Sequence, residues 1–310
     1  HSDHGRDLAF TLHGVATGEA QGYEVRDEAK LYAVAAKHGI PTKDRSVKEI
    51  TLAVANKAIS EFGQQRGALS YISVAPPKRQ AIWKEHGVVP RGIDREVVDI
   101  LHRTHMGDDQ DASHILQAAV RTALADGWGG SMWATDISDI LFGTPSPKVG
   151  EVNLGCLKED EVNIIVHGHE PTLSEMIVTA VMDPELIEYA KSKGAKGINL
   201  AGICCTSNEV MMRQGIPSAG NFLNQELAIL TGAIEAMVVD VQCIMQSLTS
   251  VASHFHTEII TTSPKVKITG ATHIEFDEHH ALDIARDIVR RACDNYVNRG
   301  ETRIPANASQ

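Results

Sequence analysis

Apolar positions in the first part of the chain recur at helical spacing. Leu8, Leu12 and Val15 share one helix face, as do Leu31, Val34 and Ala35, and then Ile50, Val54 and Ala58. Asp27 and Ser46 stand where N-caps belong, and Ser46-Val-Lys-Glu49 has the form of a capping box. Pro41, Pro76, Pro77 and Pro90 fall between the periodic segments. Ala118, Val120 and Leu124 predict a buried helix that ends in a tight turn at Gly127-Trp-Gly-Gly130. Nothing before about residue 145 alternates as a strand would, so residues 1–145 read as a portion of an all-α domain.

The period changes around Gly143-Thr-Pro-Ser-Pro-Lys148. Strand-like runs follow at 162–166, 197–201, 237–241, 258–262 and 272–276. Helix-like runs at 172–192, 207–214, 221–234, 243–254 and 279–298 separate and close them. Such alternation predicts a parallel sheet with right-handed crossovers. The expected fold class is therefore α/β: the helical portion, then a Rossmann-like, doubly wound parallel-sheet domain over 146–300, with 301–310 as a linker or tail. No Gly-x-Gly-x-x-Gly follows the first strand, so a dinucleotide site is not supported.

Composition narrows the class without naming a function. Of 310 residues, 43% are hydrophobic and 22% charged, an ordinary globular balance. A formal net charge of -11 argues against nucleic acid or an anionic membrane as partner. No apolar run approaches the ~20 residues of a membrane span, and no basic-then-apolar start marks a signal peptide. Five cysteines, Cys156, Cys204, Cys205, Cys243 and Cys293, are too few and odd in number for a disulfide framework, which points to a reducing cytoplasm. The chain opens on His1 inside a helical pattern and stops soon after a proline, as a segment of a longer polypeptide would.

Three strand-like runs end in soft metal-ligand types: His169, the pair Cys204-Cys205, and Cys243. Residues at the carboxyl ends of parallel strands face the crevice where open α/β domains bind ligands. Each of these cysteines alone reads as a small core hydrophobe. Together with His169 they suit iron–sulfur or another soft metal. Gly168, between His167 and His169, permits close backbone approach, and Glu170-Pro171 opens a helix. Cys243 is expected to begin a helix as well, which would lower its thiol pKa. Strand alternation predicts that only one of Cys204 and Cys205 faces the crevice and that the other turns away. His1, His4 and Asp7, three residues apart, form a ladder on one helix face that could pass protons. Asp136 and Asp139 could cap a helix or brace a ligand, and His254, His256, His279 and His280 read as surface groups.

These strings together resemble the catalytic subunit of anaerobic nickel–iron carbon monoxide dehydrogenase, including the form partnered with acetyl-CoA synthase. The strings are His1-Ser-Asp-His-Gly-Arg6, Val166-His-Gly-His-Glu-Pro171, Gly202-Ile-Cys-Cys-Thr-Ser-Asn-Glu209, Asp240-Val-Gln-Cys243 and Gly270-Ala-Thr-His273. The resemblance implies that His169, Cys205 and Cys243 bind cluster C, a Ni-4Fe-4S group. It makes His1 the catalytic histidine and His4 the next rung of a histidine ladder, whose further rungs hold Asp7 and Phe10 here. It implies reversible oxidation of CO with water to CO2, protons and electrons. It further implies a homodimer, a ferredoxin-like acceptor or acetyl-CoA synthase subunit as partner, and further [4Fe-4S] clusters and ligands in parts of the polypeptide outside this chain. The competing readings are a non-catalytic scaffold or partner-binding module, and a structural zinc site built from the same three residues.

Overall fold

A computed structural model describes residues 1–306. The chain divides into two compact units, His1–Thr144 and the remainder from Pro145. The first unit is helical: α1 Ser2–Thr17, α2 Glu28–Lys37, α3 Val47–Phe62, α4 Pro77–Glu85, α5 Ile93–His105, α6 Ala112–Ala125 and α7 Ser131–Phe142. Asp27 caps α2 through the Lys30 N–H, and Ser46 and Glu49 form a reciprocal capping box on α3. Leu8 and Leu12 of α1, Val54 and Ala58 of α3, and Ile137 and Ile140 of α7 meet in one core. A π-helical turn, Asp126–Gly130, links α6 to α7. Val120 on α6 is partly exposed, so that helix is less buried than its apolar spacing predicts.

Asp136 and Asp139 both pair with lysines beside this core. Asp136 lies 2.9 Å from Lys30 Nζ and 2.6 Å from Lys37 Nζ, and accepts the Tyr71 hydroxyl at 2.5 Å. Asp139 takes Lys30 at 2.8 Å. Burial alone would raise the Asp136 pKa, but Lys37, Tyr71 and Lys30 outweigh it and hold the carboxyl below its usual range. Beside it His38 stacks on Trp133 with centroids 4.3 Å apart, and burial pushes its pKa down to about 4. Replacing Asp136 by Asn should destabilise the chain by about 3 kcal/mol near neutral pH, since it removes the buried carboxylate that pairs with two partly exposed lysines and the Tyr71 hydroxyl. A depressed pKa means this contribution is present above the unfolded value near 3.9 and is lost as pH falls through the lower folded value. Denaturant melts of both proteins should show the difference shrinking below about pH 4; a pH-independent difference would exclude the carboxylate charge as its source.

The second unit is built on six strands: β1 Val162–Gly168, β2 Ile198–Ile203, β3 Ser218–Gly220, β4 Ile234–Val239, β5 Glu258–Thr261 and β6 Thr272–His273. Every pairing is parallel and the order is β3-β2-β1-β4-β5-β6. All seven residues of β1 are buried, as expected for a central strand covered on both faces. The connecting helices are α8 Pro171–Val181, α9 Pro184–Ser192, α10 Cys204–Gln214, α11 Gln225–Leu230, α12 Leu248–Ala252 and α13 Ala281–Asn295. Ile165, Ile203, Met237 and Val239 pack with Ala228 and Ile229 of α11 and Leu248 of α12; α8, α9 and α13 pack together as a second helical group.

Several local expectations change. The 172–192 run is two helices, because Asp183 caps a new start at Pro184. The 243–254 run shortens to α12, so Cys243 lies in a turn and begins no helix. β3 was not expected, being three residues without room for alternation. Residues 301–306, expected as linker or tail, run along the second unit: Arg303 N–H donates to Thr231 O at 2.7 Å, and Ile304 packs on the core. The rest of that expected tail, 307–310, lies outside the described residues. His256, expected at the surface, is buried against Glu235 at 2.9 Å. Among the described residues no helix is long and apolar enough to cross a membrane.

Candidate metal centre

In this strand order the chain reverses direction of winding between β1 and β4, which opens a crevice beyond their carboxyl ends. The residues there are His167-Gly-His-Glu170 after β1 and Asp240-Val-Gln-Cys243 after β4. An isolated parallel bridge between Gly168 and Cys204 adds the end of β2 and the start of α10. The topology thus gathers all three ligand-bearing strand ends on one edge.

Asp240 knits them together. Its Oδ1 accepts the His169 N–H at 2.8 Å and also the Val241 N–H; its Oδ2 accepts the Glu170 N–H at 3.1 Å and lies 3.5 Å from the Thr206 hydroxyl of α10. Its own N–H donates to His167 O at 3.2 Å. Burial drives the carboxyl pKa up to about 7 against the pull of those N–H groups. Such contact requires Gly168: its φ is +135°, and a Cβ there would fall 1.8 Å from Asp240 Oδ1. Asp240 is a residue that sequence reasoning passed over, although its place three residues before Cys243 at a strand end was a usable signal.

The paired cysteines do not alternate as strand residues. Cys204 is the first residue of α10 with φ +66°, so the chain has left the strand before either thiol is placed. Cys204 packs partly into the core, and its thiol lies close enough to the Cys243 thiol to feel its charge. Cys205 and Cys243 are exposed. Burial, then the Cys243 and Cys205 thiols, push Cys204 up to about 12. Burial, then Cys243, Glu209 and Asp240, raise Cys205. The helix N-terminus does not win here; thiols and carboxylates crowded together oppose one another's ionisation, and a cation among them reverses that. Among the described residues no three or more His, Cys, Asp or Glu side chains are gathered tightly enough to hold a single metal ion. One zinc ion needs donors within about 4 Å of each other, given bonds of about 2.0–2.3 Å. A multi-iron cluster spreads its ligands more widely.

In the helical unit, His1 is exposed and its Nδ1 lies 3.0 Å from Asp126 Oδ2. Asp126 Oδ1 also accepts the Ser2 N–H and hydroxyl at 2.8 and 2.9 Å, so it caps α1 and holds His1 together. Gly5 and Gly130 allow this approach: a Cβ on Gly5 would lie 2.4 Å from Gly130 O. His4 is buried on the same helix, Asp7 half-buried and Phe10 exposed. Asp126 could not be tied to His1 by spacing, since 125 residues separate them.

The sequence matches the Prismane/CO dehydrogenase family over residues 1–308. It is 54% identical over 299 residues to carbon monoxide dehydrogenase 1 of Methanosarcina acetivorans, covering 96% of this chain and 48% of that protein. It is 45% identical to the carbon monoxide dehydrogenase/acetyl-CoA synthase subunit beta of Moorella thermoacetica, covering 100% of this chain and 46% of that one. The fold superposes with a TM-score of 0.95 and 51% identity on an as-isolated, nickel-free crystal structure of carbon monoxide dehydrogenase from Thermococcus sp. AM4, over 99% of this chain and 49% of that one. The chain therefore spans about half the length of the relatives it matches.

Proposed function

We propose, from the premise that this chain belongs to the Prismane/CO dehydrogenase family and is homologous to anaerobic nickel–iron carbon monoxide dehydrogenases, that it is the helical and middle part of such an enzyme. In this reading His169, Cys205 and Cys243 hold cluster C, the Ni-4Fe-4S group. The whole polypeptide interconverts CO and water with CO2, two protons and two electrons. The observation that carries the reading is the gathering of His169, Cys205 and Cys243 at the ends of β1, β2 and β4, beside the β1/β4 crevice.

The donor chemistry fits the group. Two exposed thiols and an imidazole are soft to borderline ligands. Burial first, then the nearby Cys243, Glu209 and Asp240, raise the Cys205 pKa, and a cationic centre would offset both. When bound, the cluster supplies the redox chemistry and activates the small substrates. The chain's residues position and move protons. Asp240 orients the backbone that carries His169. Asp126 accepts from Nδ1–H of His1, which leaves Nε2 as the proton-handling atom. His4 is the next rung, and with Asp7 and Phe10 beyond it α1 carries no longer histidine relay.

By the same reading, the remaining cluster ligands and further [4Fe-4S] clusters come from the rest of a polypeptide about twice this long. The enzyme is a cytoplasmic homodimer that passes electrons to a ferredoxin-like acceptor or works with an acetyl-CoA synthase subunit, as the name of the Moorella relative suggests. The test uses the full-length protein. It should contain nickel and iron and reduce a viologen dye with CO. His1→Gln should lower that rate by roughly 10²–10⁴-fold with nickel and iron content unchanged. A wild-type protein without nickel would sink the function, and an unchanged rate in the variant would remove His1 from it.

A further inference from the structure

The turn that carries Cys243 is strained. Gln242 and Cys243 both have positive φ, +64° and +55°, in a region that costs residues with a Cβ and that persists only where the surroundings over-determine it. One end of the turn is fixed by the buried Asp240. The other end is fixed by a side chain from a different element, Gln225 at the start of α11, which is fully buried.

Gln225 uses its whole hydrogen-bonding capacity. Its Nε2 donates to Phe222 O at 2.7 Å and to Cys243 O at 3.2 Å. Its Oε1 accepts the Met245 N–H at 3.1 Å and faces His167 Nε2 at 3.0 Å. With both amide hydrogens committed to carbonyls, the oxygen must be the acceptor, so His167 carries its proton on Nε2. His167 is itself fully buried on β1, two residues before His169. The amide therefore grips Cys243 and Met245 on one side and the strand leading to His169 on the other.

We propose that Gln225 is a positioning residue that, with His167, sets the Cys243 turn against the His169 strand before any metal arrives; this rests on the cluster reading only for its effect on the metal. Donors held in place by packing and outer hydrogen bonds bind metal more tightly than donors that must be ordered by it. The arrangement makes Gln225 an outer-shell partner that touches neither metal nor substrate.

The test compares full-length wild type with Gln225→Met, which keeps the volume and removes all four bonds, and Gln225→Asn, which keeps the amide and shortens its reach. Amide hydrogen exchange of residues 241–245, read by mass spectrometry on the nickel-free protein, should quicken by about tenfold or more in both, as expected for one or two lost buried hydrogen bonds. Exchange in 162–166 should not change. After nickel loading, both variants should retain nickel about 10–100-fold less tightly, and the paramagnetic signature of the cluster should shift. If Gln225→Met does not fold, Gln225→Asn decides alone. Unchanged exchange at 241–245 in a folded variant overturns the proposal. Faster exchange with wild-type nickel retention and spectrum overturns the positioning role toward the metal. A wild-type protein that takes no nickel, together with the exchange difference, leaves the Gln225 grip standing and removes the cluster reading instead.

Discussion

Cys205→Ala in the full-length polypeptide is expected to lose its nickel and at least about 100-fold of its CO oxidation, more than the 10–100-fold typical of outer-shell changes. Its thermal unfolding should move little. Cys205 is exposed at the first turn of α10, so its side chain contributes little packing. Cys204→Ala separates ligand from neighbour. Its thiol packs partly on the core, so truncation should destabilise by about 1 kcal/mol and leave nickel in place. Activity is expected to stay within about tenfold of wild type, the lower end of outer-shell effects. Metal analysis and CO-dependent dye reduction on both variants are the measurements. If the Cys204 variant loses nickel and the Cys205 variant keeps it, the ligand register is wrong by one residue.

What the sequence made legible was periodicity, and with it the elements that a period defines. β1, β2 and β5 fall within two residues of the predicted runs because each is a short, largely apolar run bounded by turn signals. The caps at Asp27 and Ser46 were legible because capping is a contact within one turn. The α/β class followed from alternation alone, and the family resemblance from five short strings.

What was not legible depends on contacts between distant residues or on single backbone angles. The Cys204-Cys205 pair was read with a strand's period, but a positive φ at Cys204 starts α10 there and invalidates alternation. Cys243 was placed at a helix start, whereas two positive φ values hold it in a turn gripped by Asp240 and Gln225. Asp126, Asp240 and Gln225 reach His1, His169 and Cys243 across 125, 71 and 18 residues. No local pattern records such pairs. They support the candidate site without belonging to its strings, which is why a motif finds donors and misses what orients them.

Gly168→Ala is expected to be the most damaging single-methyl change in the second unit. At φ +135° any side chain is strained, and the added Cβ would lie 1.8 Å from Asp240 Oδ1 and 2.5 Å from its Cγ. No rotation of the methyl relieves that overlap, so Asp240 or the strand end must move. Either motion breaks the bonds to the His169 and Glu170 N–H groups and disturbs the Gly168–Cys204 bridge. Backbone strain and a broken buried network together should cost about 3 kcal/mol or more. Thermal or urea unfolding measures it, and nickel content in the full-length protein should fall with it. The overlap and the φ strain are separable by a cycle with Asp240→Ala. If overlap dominates, the double variant is more stable than the two single losses predict, because the clashing carboxylate is gone. If the losses simply add, the strained φ alone is responsible. A Gly168→Ala protein within about 1 kcal/mol of wild type, the size of an ordinary substitution, would mean that Asp240 does not pack against Gly168, and the clamp assigned to Asp240 would fall with it.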